Sequence, residues 1–397
     1  MEIVEPFRMF NKRFRQNSFY ILAWILPKKF AITKYQLIKI RRLLKSFLKL
    51  KRYRFDSRSE LLHFTDHNDD ITSVCFSPNN ELFASGGHDR FSIIYCINPF
   101  DKNTYGKKIL KFRDHKKPIL TISFANNNLY FASGGMDFIS FIYVINKNNE
   151  NYGKQIFKFS DHKHNVSSTC FSCDSEYFLS GGWDKTCCMY GMNSTKPEKF
   201  GKLLYCLNDH HAEVTSACFS NNNEYLATSS ADLTVILYGL NSHNTENQDN
   251  TELVKTTNLN NDNSIGKIIH CFKEHTDYIL SVCFSEFNEY LATCSNDFIT
   301  YVYGVNPINL STFCKRVFKF DNKEWTIRSV GFSMYDDYIA MGGIGGNVQV
   351  YGINPQKKEE YQKLVFKFKY KTCINSVKFS SSGWLAIGSR FETVIYC

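Results

Sequence analysis

The chain of 397 residues is 43% hydrophobic, 16% aromatic and 22% charged, which excludes a disordered or low-complexity protein and permits a large buried core. Its formal net charge is +10, but residues 1–55 hold fifteen Lys and Arg against only Glu2 and Glu5. The remainder of the chain is slightly acidic, so an electrostatic partner is expected at the N-terminal extension first.

The first segment, residues 1–56, is predicted to be a basic extension separate from the folded body. Its longest apolar run, FYILAWIL from Phe19 to Leu26, is too short to span a bilayer, and no small-residue cleavage site follows it. Residues 34–53 have the spacing of a basic amphipathic helix. The basic side chains in and beside this predicted helix are Arg41, Arg42, Lys45, Lys49, Lys51, Arg52 and Arg54.

A basic amphipathic helix can have one of several roles, and this sequence does not distinguish between them. It docks into a groove of a partner protein, contacts RNA phosphates, lies on an anionic membrane surface, or packs against the folded body of its own chain. The aromatic residues within KRYRF, residues 51–55, favour nucleic acid only weakly.

After the extension, one sequence unit repeats seven times. The repeated motif resembles CFS, and its Phe recurs at spacings of 48, 47, 48, 65, 48 and 47 residues. The seven Phe residues are Phe76, Phe124, Phe171, Phe219, Phe284, Phe332 and Phe379. The long spacing contains an Asn-rich insertion at about residues 241–263, which is predicted to be a surface loop.

Each unit contains short strands separated by turn residues. In the first unit these are ITSVCFS, ELFASGG, FSIIYCI and KKILKF. Four short strands per unit are typical of a β-propeller blade, so the sequence predicts an all-β fold of seven blades over residues 57–397. The seventh unit stops after its third strand, and a lone strand, ELLHF at Glu60–Phe64, precedes the first unit. ELLHF is therefore predicted to complete the last blade and close the ring.

The first five units share four residues at matching offsets: a His before the first strand, a Ser or Thr ending the second, an Asp in the next turn, and a Tyr six residues later. They are His67, Ser85, Asp89 and Tyr95; His115, Ser133, Asp137 and Tyr143; His162, Ser180, Asp184 and Tyr190; His210, Thr228, Asp232 and Tyr238; and His275, Thr293, Asp297 and Tyr303. With this pattern, the chain from about residue 57 onward resembles the WD40-repeat family. The resemblance implies that the four residues form a buried hydrogen-bond network within each blade.

Two features depart from the family pattern. Every unit has Tyr where the family has Trp, and the Asp that follows this Trp is replaced by Cys, Val or Gly. Unit six has Lys323, Met341 and Gly345 in place of His, Ser and Asp, and unit seven has Tyr370 and Arg390. Losing several members of a buried hydrogen-bond network together destabilises a blade less than losing one, because no buried polar group is left without a partner. We therefore expect blades six and seven to form, but with looser packing.

No residue pattern predicts a catalytic, metal or cofactor site. The repeated His and Asp occur once per unit, which favours a structural role over the single site of an enzyme. Cys170 and Cys173 form one CxxC with no second pair, while Cys187 and Cys188 are neighbours on opposite faces of one strand. The cysteines before the repeated Phe, such as Cys75, are expected to be buried, which suits a reducing compartment: the cytoplasm, with the nucleus as the alternative.

Partner-binding residues are expected on the face that carries the turns between second and third strands and the loops with the repeated His, which we call the top face. Turn residues that vary between units are better candidates for recognition than residues that recur. The candidates are His88, Met136, Trp183, Tyr278, Trp325 and Ile344. Exposed aromatic side chains are typical of binding surfaces, and the alternative is that some of these residues pack between blades.

The sequence therefore favours a non-catalytic scaffold that binds proteins or peptides through its top face and takes no small-molecule substrate. The alternative is a structural subunit of a ribonucleoprotein or ribosome-assembly complex, in which the basic extension contacts RNA. Only the second hypothesis requires RNA, so RNA binding separates the two.

Overall fold

The computed structural model describes residues 60–240, 266–322 and 325–396. These residues form 28 β-strands in four-stranded antiparallel sheets, one for each of the seven predicted blades. The described ranges include no helix that is long and apolar enough to cross a membrane. The basic extension with its predicted helix at 34–53, the Asn-rich insertion at about 241–263, and Lys323 lie outside the described residues.

In blades one to six, four consecutive strands form one sheet. The closing strand and the strands of blades one to three are β1 (Glu60–Phe64); β2 (Ile71–Phe76), β3 (Leu82–Gly87), β4 (Ser92–Cys96) and β5 (Lys108–Phe112); β6 (Ile119–Phe124), β7 (Tyr130–Gly135), β8 (Ser140–Val144) and β9 (Gln155–Phe159); β10 (Val166–Phe171), β11 (Tyr177–Gly182), β12 (Cys187–Gly191) and β13 (Leu203–Leu207). Those of blades four to seven are β14 (Val214–Phe219), β15 (Tyr225–Ser230), β16 (Val235–Gly239) and β17 (Lys267–Phe272); β18 (Ile279–Phe284), β19 (Tyr290–Ser295), β20 (Ile299–Gly304) and β21 (Arg316–Asp321); β22 (Ile327–Phe332), β23 (Tyr338–Gly343), β24 (Asn347–Gly352) and β25 (Leu364–Lys369); β26 (Ser376–Phe379), β27 (Leu385–Gly388) and β28 (Thr393–Tyr396).

The first strand of each blade contacts the first strands of the two neighbouring blades, so these strands form the inner wall of the ring. The second and third strands are mostly buried on both sides; every residue of β4 and of β8, for example, is buried, whereas β24 of blade six alternates between half-buried and buried residues. A strand that packs against neighbours on both faces has no solvent-facing positions, which is why these segments read as continuous apolar runs in the sequence.

Strand β1 closes the ring by pairing antiparallel with β28, and blade seven has the order β1-β28-β27-β26. Further contacts join blade seven to blade one. The Asn375 side-chain amide donates to the Ile71 carbonyl at 2.7 Å, and the Arg390 guanidinium lies 3.0 Å from the Asp70 carboxylate. The predicted seven-bladed fold and its closure by Glu60–Phe64 are confirmed.

The turn between the first and second strands also joins neighbouring blades. Asn128, Asn223 and Asn288 have positive φ in this turn, a conformation that Asn tolerates better than most residues. Their side-chain oxygens accept backbone N–H groups from the preceding blade at 3.3, 2.8 and 2.7 Å. One residue thus provides the positive φ of its own turn and a hydrogen bond to the preceding blade. Blade six has Asp336 at this position, also with positive φ.

Blades six and seven both form, despite their missing motif residues. The strands of blade six have six residues each, whereas β26, β27 and β28 in blade seven have four. In blade seven the Tyr370 hydroxyl lies 2.7 Å from the Tyr396 hydroxyl, which gives two half-buried polar groups one shared hydrogen bond. The looser packing that we expect of these blades stays a prediction.

Candidate partner-binding face

The top face is held in place by a buried His that links the loop before the first strand to the second strand and to the turn after it. In blade three, the His162 ring contacts the Ser180 hydroxyl at 2.7 Å through Nε2 and the Asp184 carboxylate at 3.0 Å through Nδ1. The same contacts recur in blades one, two, four and five, with Nδ1 to Asp distances of 2.9, 2.8, 2.9 and 2.7 Å. We call the His, the Ser or Thr and the Asp of one blade its blade network.

The blade networks keep their carboxylates ionised. Burial raises the pKa of Asp184, but hydrogen bonds with His162, Thr186 and a backbone N–H lower it more, so the pKa lies well below its usual range. The balance is the same for the other four, Asp89, Asp137, Asp232 and Asp297. Each carboxylate is occupied by groups of its own blade, which supports a structural role over acid–base chemistry.

The repeated Tyr joins this arrangement through a further acid, the residue before the His. The Tyr hydroxyl donates to this carboxylate in blades two, three and four, at 3.0, 3.0 and 3.1 Å; the acids are Asp114, Asp161 and Asp209. In blades one and five a cation from the fourth strand binds the corresponding acid instead: Lys108 at 2.8 Å and Arg316 at 3.0 Å. This role of the acid was missed, because the four-residue pattern in the sequence begins at the His.

The six candidate residues of the top face differ in exposure. Tyr278, Ile344 and Trp183 are exposed, with 53, 39 and 37% of their surface accessible. His88 and Met136 are half-buried. Trp325 is only 6% exposed, so the expectation that it belongs to an exposed rim is wrong.

Trp325 is buried because blade six has lost its network. Its side chain packs in a core cluster with Phe320, Ile327 and Met341, and Met341 stands where the other blades have the network Ser or Thr. Without the His and its hydroxyl partner, the space that they occupy in other blades contains no polar group that needs a hydrogen bond. Apolar side chains fill this space in blade six. Trp325 is therefore a core residue of blade six.

Trp183 belongs to a group of neighbouring aromatic rings that spans blades two and three. The rings of Trp183 and His164 are 5.6 Å apart at an interplanar angle of 27°, and those of His164 and Phe138 are 5.5 Å apart at 31°. The Lys117 ammonium lies 5.4 Å from the centre of the Phe138 ring. We call Phe138, His164 and Trp183 the aromatic platform. Phe138 was missed because the turn candidates, such as Met136, precede the turn Asp, whereas Phe138 follows it.

Exposed lysines lie in the same loops and turns of blades two and three as the aromatic platform: Lys116, Lys117, Lys163 and Lys185. None of them forms an ion pair with an acid in the described ranges. The blade networks fix the backbone at two of them, because the Lys116 and Lys163 N–H groups donate to Asp137 and Asp184 at 2.9 and 2.7 Å. The top face of blades two and three therefore combines exposed aromatic rings with lysines whose ammonium groups form no ion pair.

The part of the chain that the structure covers gives little support for a metal site. It places no group of three or more His, Cys, Asp and Glu residues where they could hold a metal ion. In the CxxC pair, Cys173 is exposed, while burial raises the pKa of Cys170 to about 12. Cys170 is therefore a protonated strand residue at neutral pH and a poor metal ligand.

The repeated four-stranded sheets and their His-centred networks define a seven-bladed β-propeller built from sequence repeats. A family model described as "WD domain, G-beta repeat" matches residues 58–95, 106–143, 153–191, 201–239 and 266–303. The chain belongs to the WD40-repeat family, whose members generally act as non-catalytic scaffolds for protein–protein interactions. A comparison with curated proteins found no match. The matched segments end before the units that lack the His, Ser and Asp set.

Proposed function

We propose that this protein is a non-catalytic scaffold that binds an acidic segment of a partner protein on the top face of blades two and three. The observation that carries the proposal is the aromatic platform together with its unpaired lysines. Large aromatic side chains provide much of the affinity in protein interfaces, and a patch of one charge selects a partner of the opposite charge.

The rest of the top face is less suited to an acidic partner. Blade four has Glu213 and blade five has Asp277 in the loops after the repeated His. Tyr278 is exposed on blade five, but it lies beside Asp277, whose carboxylate accepts the Tyr278 N–H at 2.6 Å. The charge distribution thus favours blades two and three as the first contact with an acidic chain, and electrostatic steering raises the association rate.

Affinity purification with mass spectrometry tests this function, with the full chain compared with a Trp183→Ala variant. We expect the variant to lose partner proteins that the full chain retains, because an anchoring aromatic residue contributes about 2 kcal/mol or more to binding. The recovered partners should contain acidic segments, and their recovery should fall as salt increases.

Phe100→Ala is the matched control. Phe100 is 86% exposed and lies in the loop between β4 and β5, outside the top face, so its removal should leave the partners unchanged. If Trp183→Ala retains every partner while Phe100→Ala loses them, the binding surface is the opposite face and the proposal fails.

The second candidate function is a subunit of a ribonucleoprotein or ribosome-assembly particle, favoured by the fifteen Lys and Arg of residues 1–55. Under this hypothesis the extension binds RNA while the propeller binds proteins. RNA captured by the full chain should then decrease steeply with salt and disappear when residues 1–56 are removed. If the full chain captures anionic vesicles instead of RNA, the extension binds a membrane surface. If it captures neither, the extension binds a partner protein or packs against the propeller.

We also propose that the protein acts inside the cell, in the cytoplasm or the nucleus. The described cysteines are free thiols, and several, including Cys187 and Cys294, are buried in strands. Free thiols at such density persist in reducing compartments. Imaging of the full chain with a C-terminal fluorescent tag tests this proposal, and a purely extracellular signal would contradict it.

A further inference from the structure

Two cysteines face each other across neighbouring strands of blade three. Cys188 lies in β12 and Cys206 in β13, they are paired in the antiparallel register, and their sulfur atoms are 3.6 Å apart. Residues paired in this way have Cα atoms about 4.5–5.5 Å apart, within the range of about 4.4–6.8 Å that disulfides require. A bond between these sulfurs therefore needs a small approach of the side chains and no rearrangement of the strands.

The two thiols differ in access to solvent. Cys206 is exposed on the outer strand of the blade, whereas Cys188 is 2% exposed and packs beside Tyr190 in the core between blades. The pair thus consists of one sulfur that a small reagent reaches and one that only its neighbour reaches.

Cys206 is also the thiol that ionises first. A hydrogen bond with the Cys188 thiol lowers the pKa of Cys206, burial raises it, and the Thr186 hydroxyl and the nearby His162 lower it further, with a net shift below its usual range. For Cys188, the hydrogen bond to Cys206 and burial both raise the pKa of the thiol. Because the thiolate is the reactive form of cysteine, Cys206 is the attacking sulfur of the pair.

We propose that Cys188 and Cys206 form a dithiol site that reacts with peroxides and closes to a disulfide between β12 and β13. The Cys206 thiolate attacks one oxygen of hydrogen peroxide; an S–O bond forms, the O–O bond breaks and hydroxide leaves. The Cys188 sulfur, whose proton passes to this hydroxide, then attacks the Cys206 sulfur. The S–S bond forms, the S–O bond breaks, and the released hydroxide takes up a proton. In sum, two thiols lose two electrons and two protons, and the peroxide becomes two water molecules.

Blade four contains a natural comparison. Cys271 occupies the position of Cys206 on the fourth strand, but the residue opposite it is Ile236. With no thiol across the strand pair, burial dominates and raises the pKa of Cys271. The same strand position thus holds a paired thiol in blade three and an unpaired, less acidic thiol in blade four.

The experiment treats the reduced full chain with hydrogen peroxide at pH 7, alkylates the remaining thiols and maps the peptides by mass spectrometry. We expect a Cys188–Cys206 disulfide, and alkylation of Cys206 before oxidation at least about tenfold faster than that of Cys271, since each unit of pKa changes the thiolate fraction about tenfold. If Cys206 forms no disulfide with Cys188, or reacts no faster than Cys271, the proposal is overturned.

A Cys188→Ile variant reproduces blade four within blade three. We expect it to form no disulfide at Cys206, to leave a sulfenic acid that dimedone traps, and to lower the alkylation rate of Cys206 by about tenfold or more. An unchanged rate would show that Cys188 does not activate Cys206. The reciprocal variant, Ile236→Cys, should create a second peroxide-sensitive pair with Cys271, and the wild-type comparison of Cys206 with Cys271 needs no variant to fold.

Discussion

The Phe64 ring stacks on the Tyr95 ring with the ring centres 4.0 Å apart, although Phe64 belongs to blade seven and Tyr95 to blade one. A close ring contact at the same position recurs around the ring between the end of one blade's fourth strand and the third-strand Tyr of the next blade; the rings are stacked in the first three of the following pairs and tilted in the last two. The further pairs are Phe112–Tyr143, Phe159–Tyr190, Phe272–Tyr303, Phe320–Tyr351 and Phe368–Tyr396. The Tyr that replaces the family Trp is therefore a docking residue between blades, and in blades two, three and four it is also a hydrogen-bond donor.

Phe64→Ala should weaken ring closure. Phe64 is 6% exposed and contacts both Phe83 and Tyr95, so its truncation leaves a cavity between the closing strand and blade one. We expect a loss of about 3–5 kcal/mol of stability and a lower melting temperature, measured by calorimetry.

His63→Ala is the control for closure, because His63 lies on the same strand but is exposed and bonds only surface acids. Its melting temperature should be nearly that of the wild type. Removing residues 57–66 should lower the melting temperature more than Phe64→Ala does, since β28 then loses its partner strand. Unchanged melting of the truncated chain would contradict closure by β1.

The blade network of blade three should behave as a unit. His162→Ala leaves the buried Ser180 hydroxyl and Asp184 carboxylate without their ring partner, and we expect a loss of about 2–4 kcal/mol. A His162→Ala, Asp184→Ala double variant should lose less than the sum of the two single variants, because the uncompensated carboxylate is then absent. The free energy of unfolding is measured by chemical denaturation. If the double variant loses the sum of the two single losses, the network is not coupled.

Most of the fold was predictable because each blade repeats the same local signals. Turn residues at fixed offsets and continuous apolar strands define every blade, and the bounds of β1 agree with the predicted strand ELLHF. The repeat also identified which blades lack the His, Ser and Asp set. These features depend on short-range sequence patterns, which a single sequence shows directly.

The missed features depend on packing between segments that are distant in sequence. Trp325 was expected at the surface because its loop position matches exposed residues elsewhere, and only the volume beside Met341 explains its burial. The Cys188–Cys206 pair depends on the register of β12 with β13, which includes an irregularity between Met189 and Tyr190. A pattern of single residues does not determine such a register, because the loop before β13 sets it.

Charge reversal should separate the aromatic platform from its lysines. Lys163→Glu places a negative charge beside His164 without removing a ring, so partner binding should weaken mainly through slower association and should lose much of its salt dependence. Surface plasmon resonance with a partner from the affinity purification measures both rates. Lys196→Glu is the control, because Lys196 lies between β12 and β13, away from the top face, where it pairs with Glu176. Equal effects of the two variants would indicate a general response to net charge.

Asp336 should make the stability of the ring depend on pH near neutrality. Its carboxylate accepts the Glu286 and Phe287 N–H groups at 2.8 and 3.1 Å, but burial dominates and raises its pKa to about 7. Because this pKa is higher than in the unfolded chain, the folded state binds the proton more tightly, and stability increases as pH falls from 8 towards 5. One proton contributes a slope of at most about 1.4 kcal/mol per pH unit.

Asp336→Asn isolates this contribution, since Asn occupies the same turn position in four other blades and does not titrate. The variant should be more stable than the wild type at pH 8, where the wild type has a buried negative charge, and the difference should shrink or reverse at pH 5, where Asp336 is protonated. Asn128→Asp is the reciprocal change and should introduce a similar pH dependence in blade two. Melting temperatures measured between pH 5 and 8 decide the matter: a wild-type minus variant difference that stays constant across this range would show that Asp336 does not titrate there.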